Sequence, residues 1–193
     1  MTAITVIKLG GSLTYSTLLT DCLDRLDRDY QNTDVVVVPG GGAFADQVRL
    51  AQQHWCFDDR TAHCMALLAM QQMAWLIVGL KPAWLMAGSV TAVQVLLGQG
   101  KPVVWSPDVQ ELDQAGIAAT WDITSDSLAA WLAGELAAQE LLLIKAAKLD
   151  PSLSVAEWAA QGLLDDAFCR FVKQANYRVR VVSGMDGWFG MPR

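Results

Sequence analysis

Val35-Val36-Val37-Val38-Pro39-Gly40-Gly41-Gly42 is the stretch on which the reading of this chain turns. Four consecutive β-branched residues suit a strand covered on both faces, because a strand with one wet face would alternate apolar with polar. The run stops at a proline and three glycines. A plain turn rarely needs three glycines, given the backbone entropy each one loses on folding. A loop whose backbone must come close to a phosphate or substrate does. Working outward, residues 4–9 form a second β-rich apolar run, which ends in Gly10-Gly11. Shorter runs lie at 83–87, 103–105, 141–145 and 178–182. Helical patterns fill the intervals, over 16–30, 43–54, 59–80, 91–98, 124–139, 154–163 and 165–175. Residues 108–119 have weak periodicity and read as a loop with one helical turn. Ser154-Val155-Ala156-Glu157 spells a capping box. Strands alternating with helices predict an α/β fold, a three-layer α/β/α sandwich around a mainly parallel sheet. No linker or repeat interrupts it, so residues 1–193 read as a single domain. Such sheets bind ligands beyond the carboxyl ends of their strands, so chemistry is expected just after each strand.

Composition narrows the function classes. With 193 residues, about 70% of the unfolded surface can be buried without disulfides or metals. Hydrophobic residues at 53% against 18% charged exclude a disordered chain. A net charge of -6 argues against a nucleic-acid-binding face. It leaves room for a nucleotide, which a few backbone amides and one or two lysines can hold. Eight Trp and seven Met read mainly as core, with a buried oligomer interface as the alternative; a homo-oligomer is the expected assembly. Cys22, Cys56, Cys64 and Cys169 form no C-x-x-C pair, which argues against zinc, and Cys22 and Cys64 read as core residues. The first residues enter a strand pattern at once, with no basic segment or cleavage site. The most apolar stretch, 65–88, is broken by Gln71, Gln72, Lys81 and Pro82, short of the roughly 18–20 uninterrupted residues of a membrane span. A soluble, cytoplasmic protein without membrane partners is therefore expected.

Four motifs could carry chemistry. Lys8-Leu9-Gly10-Gly11-Ser12 closes the first strand, with glycines that let N–H groups approach an anion and a lysine for a phosphoryl group. A tight strand–helix turn is the plainer account. The glycine loop at 40–42 is the second, and Gly40-x-Gly42-x-x-Ala45 alone also fits a dinucleotide fingerprint loosely. Neither is a P-loop, and Gly98-Gln99-Gly100-Lys101 is followed by Pro102. In the third, Asp122-Ile123-Thr124-Ser125-Asp126-Ser127, two acids and three hydroxyls exceed what capping a helix requires. An acid there can orient lysines from neighbouring loops. Lys145 closes the buried run Leu141-Leu142-Leu143-Ile144 and is the fourth. Arg60 suits a phosphate or carboxylate, or else a salt bridge to Asp58 or Asp59. His54 and His63 read as structural.

In this order the motifs resemble the amino acid kinase superfamily, over nearly the whole chain from Lys8 to Val182-Ser183-Gly184. In that family a K-x-G-G-S strand end holds the transferring phosphoryl group and a second glycine loop lies between donor and acceptor. An acid opening a later helix organises the catalytic lysines. Trp121-Asp122-Ile123-Thr124-Ser125-Asp126-Ser127-Leu128 and Asp58-Asp59-Arg60-Thr61-Ala62-His63 look like a short subgroup of methanogens and methylotrophs, similar to the aminomethylfuran-methyl phosphate kinase of methanofuran biosynthesis. Typical members carry T-D-x-D-G where this chain has Lys145-Ala146-Ala147-Lys148-Leu149, and the glycine-rich stretch with a second lysine is missing. The nucleotide lid is thus reduced, and Lys145 stands in for the missing lysine. The resemblance implies transfer of the γ-phosphoryl of ATP to a small phosphate or carboxylate acceptor, with Mg²⁺ bridging phosphates through water and no direct protein ligand. It implies catalytic roles for Lys8, Asp126 and Lys145, and phosphate or nucleotide contacts from Gly10, Gly11, Ser12, Gly40, Gly41, Gly42, Lys148 and Gly184. Acceptor contacts fall to Arg60, Asp122 and Ser125, and Asp58, Asp59 or Asp122 would suit an aminomethyl group. The alternatives are a non-catalytic nucleotide- or oxyanion-binding or storage protein on the same fold, motivated by the shortened lid, and a dinucleotide-dependent oxidoreductase.

Overall fold

The computed structural model describes residues 3–30, 33–150 and 152–185. Six strands form one sheet in the order β3-β4-β2-β1-β5-β6: β1 Ile4–Leu9, β2 Asp34–Pro39, β3 Leu85–Ala87, β4 Val103–Trp105, β5 Glu140–Lys145 and β6 Arg178–Ser183. Every neighbouring pair is parallel. The Val35–Val38 run is fully buried, as a strand covered on both faces must be.

Alternation along the strands sorts side chains into two cores. Ile7, Leu9, Val35, Val37, Leu142 and Ile144 face α1 (Leu18–Asp29) and the second half of α3 (Asp59–Leu80). Val6, Val36, Val38, Leu141 and Leu143 face the opposite layer, α4 (Val90–Leu96), α5 (Val109–Gln114), α6 (Ser125–Glu135) and α8 (Phe168–Val172). The first half of α3 reaches this second core through Leu67 and Met70. The helix therefore leans over the sheet edge beside α2 (Gly42–Trp55). Helix α7 (Val155–Ala160) opens on the expected capping box.

Several boundaries differ from expectation for identifiable reasons. The helix expected over 124–139 stops at Glu135, because Ala138 N–H donates to Ala133 O and Ala137 N–H to Gly134 O, with Ala137 at φ 48°. This is a Schellman closure with alanine where glycine is usual, so it leaves no mark in the sequence. The helix expected over 16–30 begins only at Leu18, after a 3₁₀ turn, Gly11–Tyr15, that lies outside the expected range. The one expected over 165–175 shrinks to five residues. Weakly periodic 108–119 contains α5, capped by Asp108 through Gln110 N–H and Glu111 N–H. Trp84 and Trp105 are core, but Trp55 and Trp75 are 73% and 65% exposed, and Cys64 is only half-buried. By length and composition α3 could cross a membrane, with 22 residues at mean hydropathy 1.4, so Gln71 and Gln72 do not disqualify it. Its inward face nonetheless lines both cores, as that of a core helix would.

At the amino edge of the sheet, Lys81 pairs with Asp24 and Asp27, and buried Trp84 donates Nε1–H to Asp27 Oδ1 at 2.6 Å. Asp27→Ala leaves that indole N–H without a partner. A loss of about 1–3 kcal/mol is expected in chemical denaturation, with ligand affinity at the opposite edge unchanged.

Candidate active site

Sheet register brings the two lysines together. Lys8 lies opposite Leu143 on neighbouring β1 and β5, and Lys145 is two residues further on, so both side chains fall on the face covered by α6. The second residue of α6, Asp126, meets them. Its Oδ1 lies 2.8 Å from Lys8 Nζ and its Oδ2 accepts from Lys145 Nζ at 2.6 Å. The Lys8 and Asp126 side chains are each only 5% exposed. Burial pushes the Asp126 carboxyl up, but the Lys8 and Lys145 charges outweigh it and hold the group below its ordinary value. Burial, then the neighbouring Lys8 charge, bring Lys145 down to about 8, with Asp126 pulling the other way.

The two glycine loops are interlocked. A Cβ on Gly40 would lie 2.5 Å from Gly11 N, and one on Gly11 would lie 2.5 Å from Gly42 N. Gly42 itself is at φ +53°. Side chains are thus forbidden by loop–loop contact before any ligand arrives. Two of the expected N–H donors, and the N–H of Gly184, are committed elsewhere. Gly10 N–H donates to Ile144 O at 2.8 Å, Gly40 N–H to Leu9 O at 2.8 Å, and Gly184 N–H to Lys145 O at 2.7 Å. These bonds prolong the sheet ladder past its last residues, which corrects the expectation that Gly10 and Gly40 offer their N–H groups to a ligand. Gly11, Ser12, Gly41 and Gly42 open the 3₁₀ turn and α2, and among the described residues no side chain caps either element. All four residues line a cavity of about 230 Å³.

This cavity lies between the glycine loops, the α2–α3 pair and the segment leading into α6. Its floor is apolar, with Leu67, Met70, Ile123 and Leu128, its exposed rim carries Asp46, Arg49 and Asp59, and buried Ser125 also lines it. Tyr15 donates to Asp46 Oδ2 at 2.6 Å, and Gln52 donates to Asp59 Oδ1 at 2.9 Å while accepting from Trp121 Nε1 at 2.6 Å. The Arg49 guanidinium sits 3.8 Å above the Trp121 ring. His63 also lines the cavity; burial, then the Arg60 charge, push it below its ordinary value and favour the neutral ring.

The expected acceptor contacts divide. Ser125 lines the cavity. Arg60 does not; its guanidinium grips both carboxylate oxygens of Asp113 on α5, and neither Asp58 nor Asp59. Asp58 caps α3 through Thr61 N–H. Asp122 is exposed, outside the cavity lining, and its carbonyl accepts from Ala167 N–H. Lys148 is exposed beyond β5. Sequence reasoning missed Asp46 and Arg49, although the stripe 42-45-46-49 on the helix leaving the glycine loop was a usable signal. Among the described residues no three His, Cys, Asp or Glu side chains converge to hold a metal, and both Asp126 oxygens face lysines.

Comparison with known proteins adds to this geometry. A family model described as "Amino acid kinase family" matches residues 3–148. The chain belongs to the amino acid kinase family. A relative from Methanocaldococcus jannaschii, named [5-(aminomethyl)furan-3-yl]methyl phosphate kinase, is 26% identical over 145 residues. The match covers 72% of this chain and 63% of that protein, so the chain spans under two thirds of its relative. Uridylate kinase from Archaeoglobus fulgidus superposes with a TM-score of 0.68 at 14% identity, covering 94% of this chain and 90% of that one. UMP kinase from Bacillus anthracis gives 0.68 at 15%, covering 97% and 89%. Aspartate kinase from Synechocystis gives 0.67 at 17%, covering 95% of this chain and 38% of that one. These likenesses establish the fold expected from the sequence, a parallel sheet between helical layers.

Asp126→Asn leaves two buried ammonium groups facing a neutral amide. A loss of about 3–5 kcal/mol is expected at neutral pH. Lys145 titrates lower in the folded chain than in the unfolded one, so the unfolded state binds more protons between these values and stability rises with pH there. The deficit should shrink as pH rises past 8, as followed by urea melts across pH.

Proposed function

We propose that this chain is a small-molecule kinase that moves the γ-phosphoryl of ATP onto a phosphate or carboxylate oxygen of a small acceptor. The observation that carries the reading is the buried Lys8–Asp126–Lys145 cluster at the carboxyl ends of β1 and β5. Two ammonium groups share one carboxylate, which leaves a net positive charge suited to a transferring phosphoryl group. Phosphoryl transfer is largely positioning and charge neutralisation, and an ionised phosphate oxygen needs no general base. Lys8 and Lys145 would bind the oxygens on which charge gathers, and Asp126 would hold both ammonium groups in place. The amide ends at Gly11, Ser12, Gly41 and Gly42 would bind phosphate oxygens between donor and acceptor. Mg²⁺ is proposed to arrive on the nucleotide's phosphates with its own waters.

The acceptor is assigned to the cavity of about 230 Å³. Its apolar floor suits a ring, and Asp46 and Asp59 on the rim suit a cationic amine. The Methanocaldococcus jannaschii relative's name denotes an aminomethylfuran carrying a phosphate, which has all three parts. That compound is the proposed substrate, and the chain is read as a cytoplasmic enzyme of that chemistry. The single domain of 193 residues would cover its nucleotide only partly, through the short helices α7 and α8 between β5 and β6.

ATP with Mg²⁺ at 100 times Kd should add about 2.7 kcal/mol of stability, and Lys8→Ala should cut turnover about 10²–10³-fold. ATP binding without transfer to any small phosphate would instead favour the non-catalytic binding protein. Unaltered ligand affinity in Lys8→Ala, together with no transfer, would sink the kinase reading. We also propose a homo-oligomer joined through α3, where Leu68, Trp75, Leu76 and Leu80 leave an apolar stripe exposed. Trp75→Glu should shift sedimentation to the monomer; an unchanged profile would reject this interface.

A further inference from the structure

Helix α6 presents Asp126 to both lysines, yet its N-cap residue, Thr124, makes no side-chain cap bond. The missing cap comes from a residue 41 positions away in sequence. Asp165, in the loop before α8, accepts from Thr124 N–H at 2.8 Å, Thr124 Oγ1 at 2.9 Å and Ser127 N–H at 3.0 Å through Oδ2. Its Oδ1 accepts from the Ser127 hydroxyl. One carboxylate thus brackets Asp126 from both sides of the chain.

The support is itself rigid. Leu164, Ala167 and Phe168 around Asp165 are buried, Phe168 N–H donates to Asp165 O at 3.1 Å, and Ala167 N–H donates to Asp122 O at 3.0 Å. The loop is therefore tied both to the core and to the segment entering α6. Satisfied networks of this kind fix a side chain more firmly than their separate bonds would.

We infer that Asp165 is a positioning residue: it replaces the absent cap of α6, clamps residues 124–127, and so holds Asp126 between Lys8 and Lys145. The inference rests on the kinase reading for its catalytic consequence but not for its structural one. The charged groups acting on Lys145 are Lys8 from β1, Asp126 from α6 and Asp165 from the loop before α8. The Asp165 charge favours the protonated lysine, so the clamp also helps keep that ammonium charged.

Charge and clamp can be separated. In Asp165→Asn the amide oxygen can take the place of Oδ2 and accept the same three bonds, while the amide nitrogen donates to Ser127 Oγ. Asp165→Ala removes charge and clamp together. The Lys145 titration is followed by NMR of ¹³C-labelled lysine, assigned with Lys145→Arg, and turnover is followed across pH. In Asp165→Asn the Lys145 midpoint is expected to fall below the wild-type value of about 8, carrying the alkaline limb of turnover with it. In Asp165→Ala turnover at pH 6 is expected to fall about 10²-fold with a much smaller change in KM for ATP. Asp165→Asn should recover most of that loss. Wild-type turnover and an unmoved Lys145 midpoint in Asp165→Ala would overturn the assignment. Should Asp165→Ala fail to fold, Ser127→Ala removes one bond and keeps the charge. It should lower turnover without moving the Lys145 midpoint, and unchanged turnover would equally overturn the assignment. A wild-type protein that transfers no phosphoryl group defeats the kinase reading alone, because a Lys145 midpoint that moves further in Asp165→Ala than in Asp165→Asn still reports the lost clamp, and equal midpoints in the two variants would overturn it.

Discussion

A single buried carboxylate has to serve two ammonium groups, and the carboxyl edge of this protein is organised around that constraint. Register between β1 and β5 puts Lys8 and Lys145 on one face of the sheet, where α6 would otherwise cover them with apolar side chains. Removing such charges from water is expensive, and two like charges in one place compound the cost. Asp126 offsets one of them. The cluster keeps a net positive charge at the point where the strand order turns from β2 on one side of β1 to β5 on the other. Open parallel sheets leave a crevice at such a point. Stabilising the fold and attracting an anion are here one electrostatic problem, and the residue nearest the balance point is Lys145, brought down to about 8.

The glycine loops are a steric answer to the same geometry. Loops leaving β1 and β2 must turn beside one another, because the strands are neighbours and each is followed by a helix or a 3₁₀ turn. Gly11, Gly40 and Gly42 come within a Cβ's reach of each other's backbone, so any side chain there would push the loops apart. The glycine triplet thus has a cause besides the phosphate contact expected of it. Part of the signal belongs to loop–loop packing and ladder closure, while the turn opened by Gly11 and Ser12 and the helix opened by Gly41 and Gly42 have no side-chain cap.

What the sequence made legible were features with local signatures. Valine runs betrayed buried strands, glycine runs marked the loops, and lysines at strand ends sat next to helix-opening acids. The meeting of Lys8, Asp126 and Lys145 was readable because strand alternation and the start of a helix are both local facts. Features that depend on partners far apart in sequence were not. Arg60 finds Asp113, 53 positions away, in preference to its neighbours Asp58 and Asp59. Asp165 caps a helix that already had three hydroxyls of its own to choose from. Ala137 adopts a left-handed conformation that its identity does not announce, and with it α6 ends four residues early.

Charge also has a direction across the site. The lysine cluster is net positive, whereas the cavity rim carries Asp46 and Asp59 against one guanidinium, which is itself stacked on Trp121. His63 adds no cation there, because burial favours its neutral form. The two regions adjoin through Ser125, which lines the cavity one residue before Asp126. A molecule spanning them meets positive potential at one end and negative potential at the other, over an apolar floor. Such a gradient orients a ligand carrying both an anion and an amine and disfavours its reversal, since like charges would then face each other. An acidic chain with a net charge of -6 can host phosphate chemistry on these terms, because the positive charge it needs is local, buried and held in place by the carboxylate that also limits it.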